Sequence, residues 1–298
     1  MPSRTVRTAV LVALVAACAV SPAVAQLQDN LGALTGDNAK GYLGPLPKAL
    51  SGTLNAAIFQ TGKVPLAGVH FAVGVHVMGV AFDDADRTYS PKDPPGFQST
   101  SPVKAPTVIG DEQSVAQSGQ GGTTLYHPGG FDIDEFAIAV PQATIGSVLG
   151  TRATVRWISL DLGNSDLGKL DLFGIGAQHS ISRYVPGLPV DLAAGIFYQT
   201  FSVDDDLIKT KTFHFDVTGS KSFAMLQPYV GVGFDTLDMK AKYEDSNNPG
   251  QKVEVDFATE SNAHLTIGAQ LSFPVVKIHG EFNAAAVNGA AVGLSFGL

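Results

Sequence analysis

The chain has 298 residues and a formal net charge of −8, with 45% hydrophobic and only 15% charged residues. An acidic chain without a basic cluster argues against nucleic acid as a partner. The 33 glycines exceed the usual share of about 7%. Beyond Val20 no run approaches the ~18 apolar residues of a membrane helix. High apolarity without long apolar runs favours alternating strands.

The first 25 residues have the three parts of a secretory signal peptide. Arg4 and Arg7 precede an unbroken apolar run over residues 9–20, and small residues then lead to Ala25. This run is too short to span a membrane as a helix. We expect cleavage after Ala25 and export of the protein. Cleavage would remove two positive charges and take the net charge from −8 to −10.

Cys18 is the only cysteine, and it has two interpretations. Val15-Ala16-Ala17-Cys18 resembles a lipoprotein box, in which Cys18 would carry a lipid. The apolar run continues past it to Val20, which favours ordinary cleavage instead. Cleavage after Ala25 would leave a mature chain with no disulfide and no thiolate chemistry.

Residues 26–52 differ from the rest of the chain. Leu27, Leu31 and Leu34 fall on one face of a short helix, and prolines at positions 45 and 47 follow. A helix this short is marginal alone in water, so its apolar face needs a partner. We predict that residues 26–52 form a helical lead or plug segment that packs into or across the periplasmic mouth of a barrel formed by residues 53–298. A flexible tail is the alternative.

From about Val69 to the C-terminus the hydrophobic period is two. In residues 69–78, for example, valine and phenylalanine alternate with histidine, alanine and glycine. Successive side chains of a strand point to opposite faces, so such segments are two-sided strands. Transmembrane strands need about 9–11 residues, apolar towards lipid and polar or small towards the lumen. We therefore predict an all-β fold, an antiparallel transmembrane β-barrel of about 10–12 strands with a short helical N-terminal segment.

A soluble sandwich or barrel also alternates, with its apolar face buried. The signal peptide, the glycine-rich second faces and the end of the chain favour the membrane barrel. Val292, Leu294, Phe296 and Leu298 share one face of a last strand. This resembles the C-terminal strand by which outer-membrane barrels are recognised by their assembly machinery, with Leu298 in place of the usual aromatic residue. The predicted location is the bacterial outer membrane, and the predicted partners are outer-membrane lipid and the barrel assembly machinery.

Polar and charged residues recur on the inferred inward faces of these strands. The residues predicted to line the lumen are His70, His76, Asp191, His214, Asp216, Asp235, Asp256, His264, Gln270, Lys277, His279 and Glu281. They would form either a hydrated conduit or a hydrogen-bonded interior that fills itself, and the sequence does not separate the two. A metal site made by several of the histidines is a further alternative. We predict no metal and no other cofactor.

Outer-membrane lipases are the enzyme alternative for a barrel of this kind. Those barrels place a histidine and a serine two residues apart on one strand face, so that the imidazole takes the serine proton. Here His179 is followed by Ser180 and Ser182, both on the opposite face. The letters Gly-x-Ser-x-Gly occur at residues 293–297, but within the alternating last strand and not at the strand-to-helix elbow that a nucleophilic serine needs. We predict that the protein is not an enzyme. It would be a passive channel or transporter for small solutes, apolar ones included, or alternatively a structural or docking barrel that serves secretion or envelope assembly.

The chain resembles a family of bacterial outer-membrane barrel proteins of unknown function, broadly similar to porin-like and fatty-acid-transporter-like barrels. The matching stretches are Tyr42-Leu43-Gly44-Pro45, Leu54-Asn55, Pro141-Gln142-Ala143-Thr144-Ile145-Gly146, residues 150–156 and residues 174–182. They span much of the mature chain, and residues 83–130 are unmatched. The resemblance implies the fold and the location and assigns no activity.

Overall fold

The computed structural model describes residues 23–161, 169–185, 187–204, 206–246 and 248–297. Most of the predicted signal peptide, Cys18 and Leu298 therefore lie outside the described residues. Three helices come first: α1 (Ala23–Gly32), α2 (Gly36–Tyr42) and α3 (Pro45–Leu54). Among the described residues, no helix has the length and apolar character needed to cross a membrane.

The strands that follow in the described chain are β1 (Ala67–Ala81), β2 (Thr88–Tyr89), β3 (Ala105–Pro106), β4 (Val115–Ser118), β5 (Thr124–His127), β6 (Glu135–Val148), β7 (Thr151–Asp161), β8 (Lys169–Ser180), β9 (Asp191–Val203), β10 (Ile208–Ser220), β11 (Leu226–Glu244), β12 (Lys252–Asp256), β13 (Glu260–Ser272), β14 (Val276–Ala284) and β15 (Gly289–Gly297). Strands β2–β5 form two small hairpins within the loop after β1, and β12 pairs only with the end of β11.

Ten of these strands close into one antiparallel barrel, in the order β1, β6–β11, β13–β15. Strand β15 returns to pair with β1, from Ala72 opposite Gly297 to Val80 opposite Gly289. Closure leaves no sheet edge, which is what a β-structure needs where no water can satisfy its backbone. The predicted fold class, with about 10–12 strands and an N-terminal helical segment, is confirmed.

The two faces of the barrel have opposite character. On the outer face, Phe71, Val232 and Phe296 are 49%, 62% and 56% exposed, although they lie on three different strands. On the inner face, Thr218 and Asp235 are fully buried. A soluble β-protein buries its apolar face, so this inverted arrangement indicates a barrel whose outer wall contacts lipid.

The two ends of the barrel also differ. The short-turn end carries residues 149–150, 181–185, 187–190, 221–225 and 273–275, together with the start of β1 and the end of β15. The long-loop end carries residues 82–134, 245–246 and 248–259. In outer-membrane barrels the short turns face the periplasm and the longer loops face outward.

The N-terminal segment enters the barrel from the long-loop end. There Ser246 donates its backbone N–H to Gly32 (3.0 Å), and Val108 donates to Tyr42 (2.8 Å). The chain then descends through the lumen, and Thr61 reaches Ser220 (3.2 Å) near the short-turn end. The first barrel strand begins only at Ala67. Residues 55–66 therefore lie outside the barrel wall.

This path corrects the predicted position of the helices at the periplasmic mouth. Helix α1 packs against β11, and its Leu27 and Leu31 belong to the same buried apolar cluster as Leu237 and Met239. These inward-facing side chains of β11 lie towards the long-loop end. The apolar face of α1 packs against these apolar side chains at the long-loop end, because the inward side chains near the short turns are polar.

Candidate functional site in the barrel lumen

The inward side chains form three tiers along the barrel axis. The upper tier, towards the long-loop end, is apolar and consists of Met78, Val80, Val140, Leu172, Phe201, Leu237 and Met239. The middle tier is ionisable and consists of His76, Arg156, His214, Asp216, Asp235, His264, His279 and Glu281. The lower tier, towards the short-turn end, consists of Arg152, Gln178, Ser180, Thr218, Ser220, Gln227, Gln270 and Lys277.

Arg156 anchors the N-terminal segment to the middle tier. Its Nη1 donates to the carbonyl oxygen of Leu54 (3.1 Å), and its Nη2 donates to that of Ala56 (2.8 Å) and to that of Ala57. Its Nε donates to Gln142 Oε1 (2.6 Å). Leu54 is the last residue of α3, and Ala56 and Ala57 follow it. Carbonyl groups at the end of a helix have no hydrogen-bond donor within the helix, and positive charge is favourable there. The fully buried guanidinium thus caps the helix from the barrel wall.

Glu281 holds the same turn from strand β14. Its Oε1 accepts the backbone N–H of Ala57 (2.7 Å) and the Asn283 amide (2.9 Å), and its Oε2 accepts the Tyr229 hydroxyl (2.7 Å). A cation and an anion from β7 and β14 therefore grip one turn of chain across the barrel. Charge-assisted bonds of this kind are about twice as strong as neutral ones.

Two histidine pairs complete the middle tier. Asp235 lies within hydrogen-bond distance of both members of the first pair, with Oδ1 2.6 Å from His214 Nδ1 and Oδ2 2.5 Å from His264 Nδ1. In the second pair the rings of His76 and His279 lie 4.9 Å apart, and no described carboxylate bonds to them.

A cavity of about 340 Å³ opens at the short-turn end. Lys63, His70, Arg152 and Lys277 contribute the ionisable side chains of its lining, and none of the described lining residues is acidic. A smaller space of about 60 Å³ extends upward to Ile58 and His76. Above it the inward side chains of the upper tier are buried in one apolar cluster with the N-terminal helices.

The structure places eight of the predicted lumen residues in the buried interior: His76, His214, Asp216, Asp235, His264, Gln270, His279 and Glu281. His70 and Lys277 line the cavity at the short-turn mouth. Asp191 is half-buried at the start of β9. Asp256 is a correction, because it is exposed on β12, beyond the barrel wall, where it pairs with Lys240 (2.8 Å).

Sequence reasoning missed Arg152 and Arg156, the two inward cations of β7. Arg152, Thr154 and Arg156 alternate with Ala153 and Val155, so the period of two was the signal that places them inward. His179, weighed as a catalytic residue, contacts Thr151 Oγ1 (2.7 Å) and the Tyr184 hydroxyl (3.0 Å). Ser180 is buried on the other face of the strand.

A family model matches residues 4–298. The chain belongs to a family of unknown function (DUF6588). No curated protein matches the chain.

Several solved structures are similar to it at low identity. The toluene transporter TbuX of Ralstonia pickettii is 12% identical, over 80% of this chain and 90% of that one, with a TM-score of 0.27. OmpT, an outer membrane protein of Vibrio cholerae, is 9% identical over 80% and 100%, with a TM-score of 0.26. OmpF of Salmonella typhi is 12% identical over 78% and 98%, with a TM-score of 0.23. Likenesses at this level assign no function, which has to be argued from the lumen itself.

Proposed function

We propose that this protein is a gated outer-membrane channel for small solutes, closed here by residues 45–63, which we name the plug. The observation that carries the proposal is the grip of Arg156 and Glu281 on residues 54–57, directly above a cavity that opens to the short-turn end. The passage is thus complete from one mouth to mid-lumen and blocked from there upward.

The plug fills a space that the barrel wall does not fill by itself. About eight strands already enclose an interior wide enough to be filled by side chains, and this barrel has ten. The plug is tied to the wall by hydrogen bonds and by packing, and it joins the wall covalently only through β1. Its displacement would therefore open a lumen without breaking the barrel.

The cavity at the short-turn mouth favours small anionic solutes among those that a passive channel could take. Lys63, Arg152 and Lys277 face it without a described acidic neighbour in its lining, although the chain as a whole is acidic. Rings of like charge at a mouth raise the local concentration of the opposite ion and set selectivity.

Conductance in a planar bilayer tests the proposal. The full mature protein should be mostly closed. Deletion of residues 27–60, which removes α2, α3 and the turn that Arg156 and Glu281 hold, should leave a heat-modifiable barrel with a higher conductance and a preference for anions. A matched control removes Gly121 and Gly122, which lie in a loop tip with no other residue near their Cβ positions. If the deletion of residues 27–60 assembles but conducts no better than this control, the channel proposal is wrong.

A structural or docking barrel is the second candidate, and the complete filling of the upper tier favours it. Helices α1 and α2 are bonded to residues 82–134 and to the loop after β11, so they form one cap over the long-loop end. A barrel with this role needs no opening. It would remain non-conducting in every variant that assembles.

A further inference from the structure

Three middle-tier side chains from neighbouring strands come together with the composition of a metal site. His214 lies on β10, Asp235 on β11 and His264 on β13, and each is almost fully buried. One ligand atom from each lies within 4.8 Å of the others. The geometry points to a binding site for a divalent transition metal ion, most simply Zn²⁺, with Asp216 as the fourth ligand. This inference is independent of channel activity.

The strand register builds the cluster. His214 is directly opposite Asp235, and Asp216, two residues further along β10, is opposite Gly233. Gly233 is in turn opposite His264. A Cβ at Gly233 would lie 3.0 Å from the Asp216 Cβ, so glycine keeps the space between Asp216 and His264 free. The register thus places Asp216 beside the other three residues, although its oxygens are not among the ligand atoms that lie within 4.8 Å of one another.

The orientation of the Asn283 amide places a proton on His264 Nε2. Asn283 donates its amide to Glu281 Oε1 (2.9 Å), so its Oδ1 is the acceptor that faces His264 Nε2 (2.8 Å). Thr266 also donates to this oxygen (2.7 Å), which fixes the same orientation of the amide. A neutral His264 must therefore carry its proton on Nε2. In that neutral form Nδ1 carries the lone pair that a metal ion takes, whereas an imidazolium would donate from Nδ1 to Asp235 Oδ2, 2.5 Å away.

The charges of the cluster call for the same cation. Asp235 is fully buried, and Asp216 is nearly so. Asp216 accepts the Thr218 hydroxyl through Oδ2, whereas its Oδ1 is buried without a hydrogen-bond partner among the described residues. Arg152 lies within electrostatic reach of Asp216, and Glu281 within reach of His264. Two buried carboxylates in one site are costly unless they are paired or coordinate a metal.

Zinc suits this donor set. It binds imidazole nitrogen at about 2.0–2.1 Å and carboxylate oxygen at about 2.0–2.2 Å, usually with four ligands in a tetrahedron. Such ligand atoms are about 3.4 Å apart, so small side-chain rotations bring the three atoms into place. Asn283 would be the outer partner that orients the His264 ring, as ligating histidines usually require. The ion would link β10, β11 and β13 within the barrel wall.

Metal content of the purified protein tests the site. The mature chain, without a polyhistidine tag, is folded in detergent with Zn²⁺, dialysed against metal-free buffer and analysed by mass spectrometry for zinc. We expect about one zinc per chain for the wild type and a loss of roughly 10-fold or more for His264→Ala and Asp235→Asn. The matched control is His279→Ala, a buried histidine of the same tier without a carboxylate partner, which should keep its zinc.

A second measurement keeps the test decisive if a ligand variant fails to fold, which heat-modifiability on gels reveals. Wild-type protein folded with Co²⁺ should show the visible absorption of a four-coordinate cobalt ion, and added Zn²⁺ should remove it. A wild type that binds neither ion would overturn the site. So would a His279→Ala variant that loses as much zinc as His264→Ala.

Discussion

The upper and lower tiers of the lumen face the same plug but are built in opposite ways. In the upper tier, Met78 and Leu237 pack with Leu31 and Leu54 of the helices as in the core of a soluble protein. In the lower tier, Gln270 and Lys277 border an open cavity of about 340 Å³. In the proposed channel, the barrier to passage would therefore lie in the upper and middle tiers, and the lower tier would be the entrance.

The largest effect on opening of the plug is expected from a substitution of Arg156, in the middle tier between the upper and lower tiers. Arg156→Met would leave the carbonyls of Leu54, Ala56 and Ala57 buried without this donor. A buried acceptor left without a partner costs about 1–3 kcal/mol, and several lose this donor together, so the plug should open far more often. Hydrogen exchange of the amides of residues 45–58, followed by mass spectrometry, measures this opening.

The matched control for this change is Arg152→Met in the lower tier. Arg152 donates to the Thr61 carbonyl (3.1 Å) and to Gln178, beside the cavity and below the turn that Arg156 holds. Its loss should accelerate exchange in residues 45–58 much less. Equal acceleration in both variants would mean that the barrier is spread along the whole plug.

Truncation within the upper tier should have the next largest effect. Leu31 is fully buried in the apolar cluster, so Leu31→Ala should cost about 3 kcal/mol through lost burial and the cavity that remains. Gln270→Ala borders the open cavity and removes the hydrogen bond to Ser272 Oγ (2.9 Å); it is the lower-tier counterpart and should cost about 1 kcal/mol. Urea unfolding in lipid vesicles gives both free energies of unfolding. Similar values for the two variants would contradict the division into tiers.

The sequence predicted the barrel because alternation is local and every strand repeats it. It did not predict the tiers, because height along the axis depends on how the strands are staggered. Asp256 shows the limit of the pattern, since β12 alternates like a barrel strand but pairs only with the end of β11. The same limit applies to the position of the N-terminal helices. The pattern of Leu27, Leu31 and Leu34 required an apolar partner, but only the assembled barrel shows that this partner lies at the long-loop end.

A smaller effect is expected where α2 meets the cap. The Tyr42 hydroxyl donates to the Gly129 carbonyl (3.0 Å) and accepts from the Asn30 amide (2.9 Å). Burial raises the pKa of Tyr42 to about 12, so the hydroxyl stays a neutral donor at ordinary pH. Tyr42→Phe should destabilise the packing of α2 by about 1 kcal/mol, the usual net value of one hydrogen bond. Hydrogen exchange of residues 36–42 measures it, and unchanged exchange would show that packing alone holds α2 to the cap.

The smallest expected effect is a pH dependence of the same cap. His127 is buried in the β4–β5 hairpin, where its Nε2 lies 2.8 Å from Gln117 Oε1, and it is two residues from Gly129. Burial lowers the pKa of His127 below its ordinary value of 6.5, and Asp93 offsets this only in part. Above pH 6.5 the imidazole is neutral in both the packed and the open hairpin, so stability is constant there. As the pH falls below 6.5, the open form takes up a proton first, and the hairpin loses at most about 1.4 kcal/mol per pH unit. Exchange of residues 115–127, corrected for the intrinsic effect of pH, should therefore accelerate in acid. His127→Asn should abolish that dependence, and a variant that keeps it would assign the titration to another group of the cap.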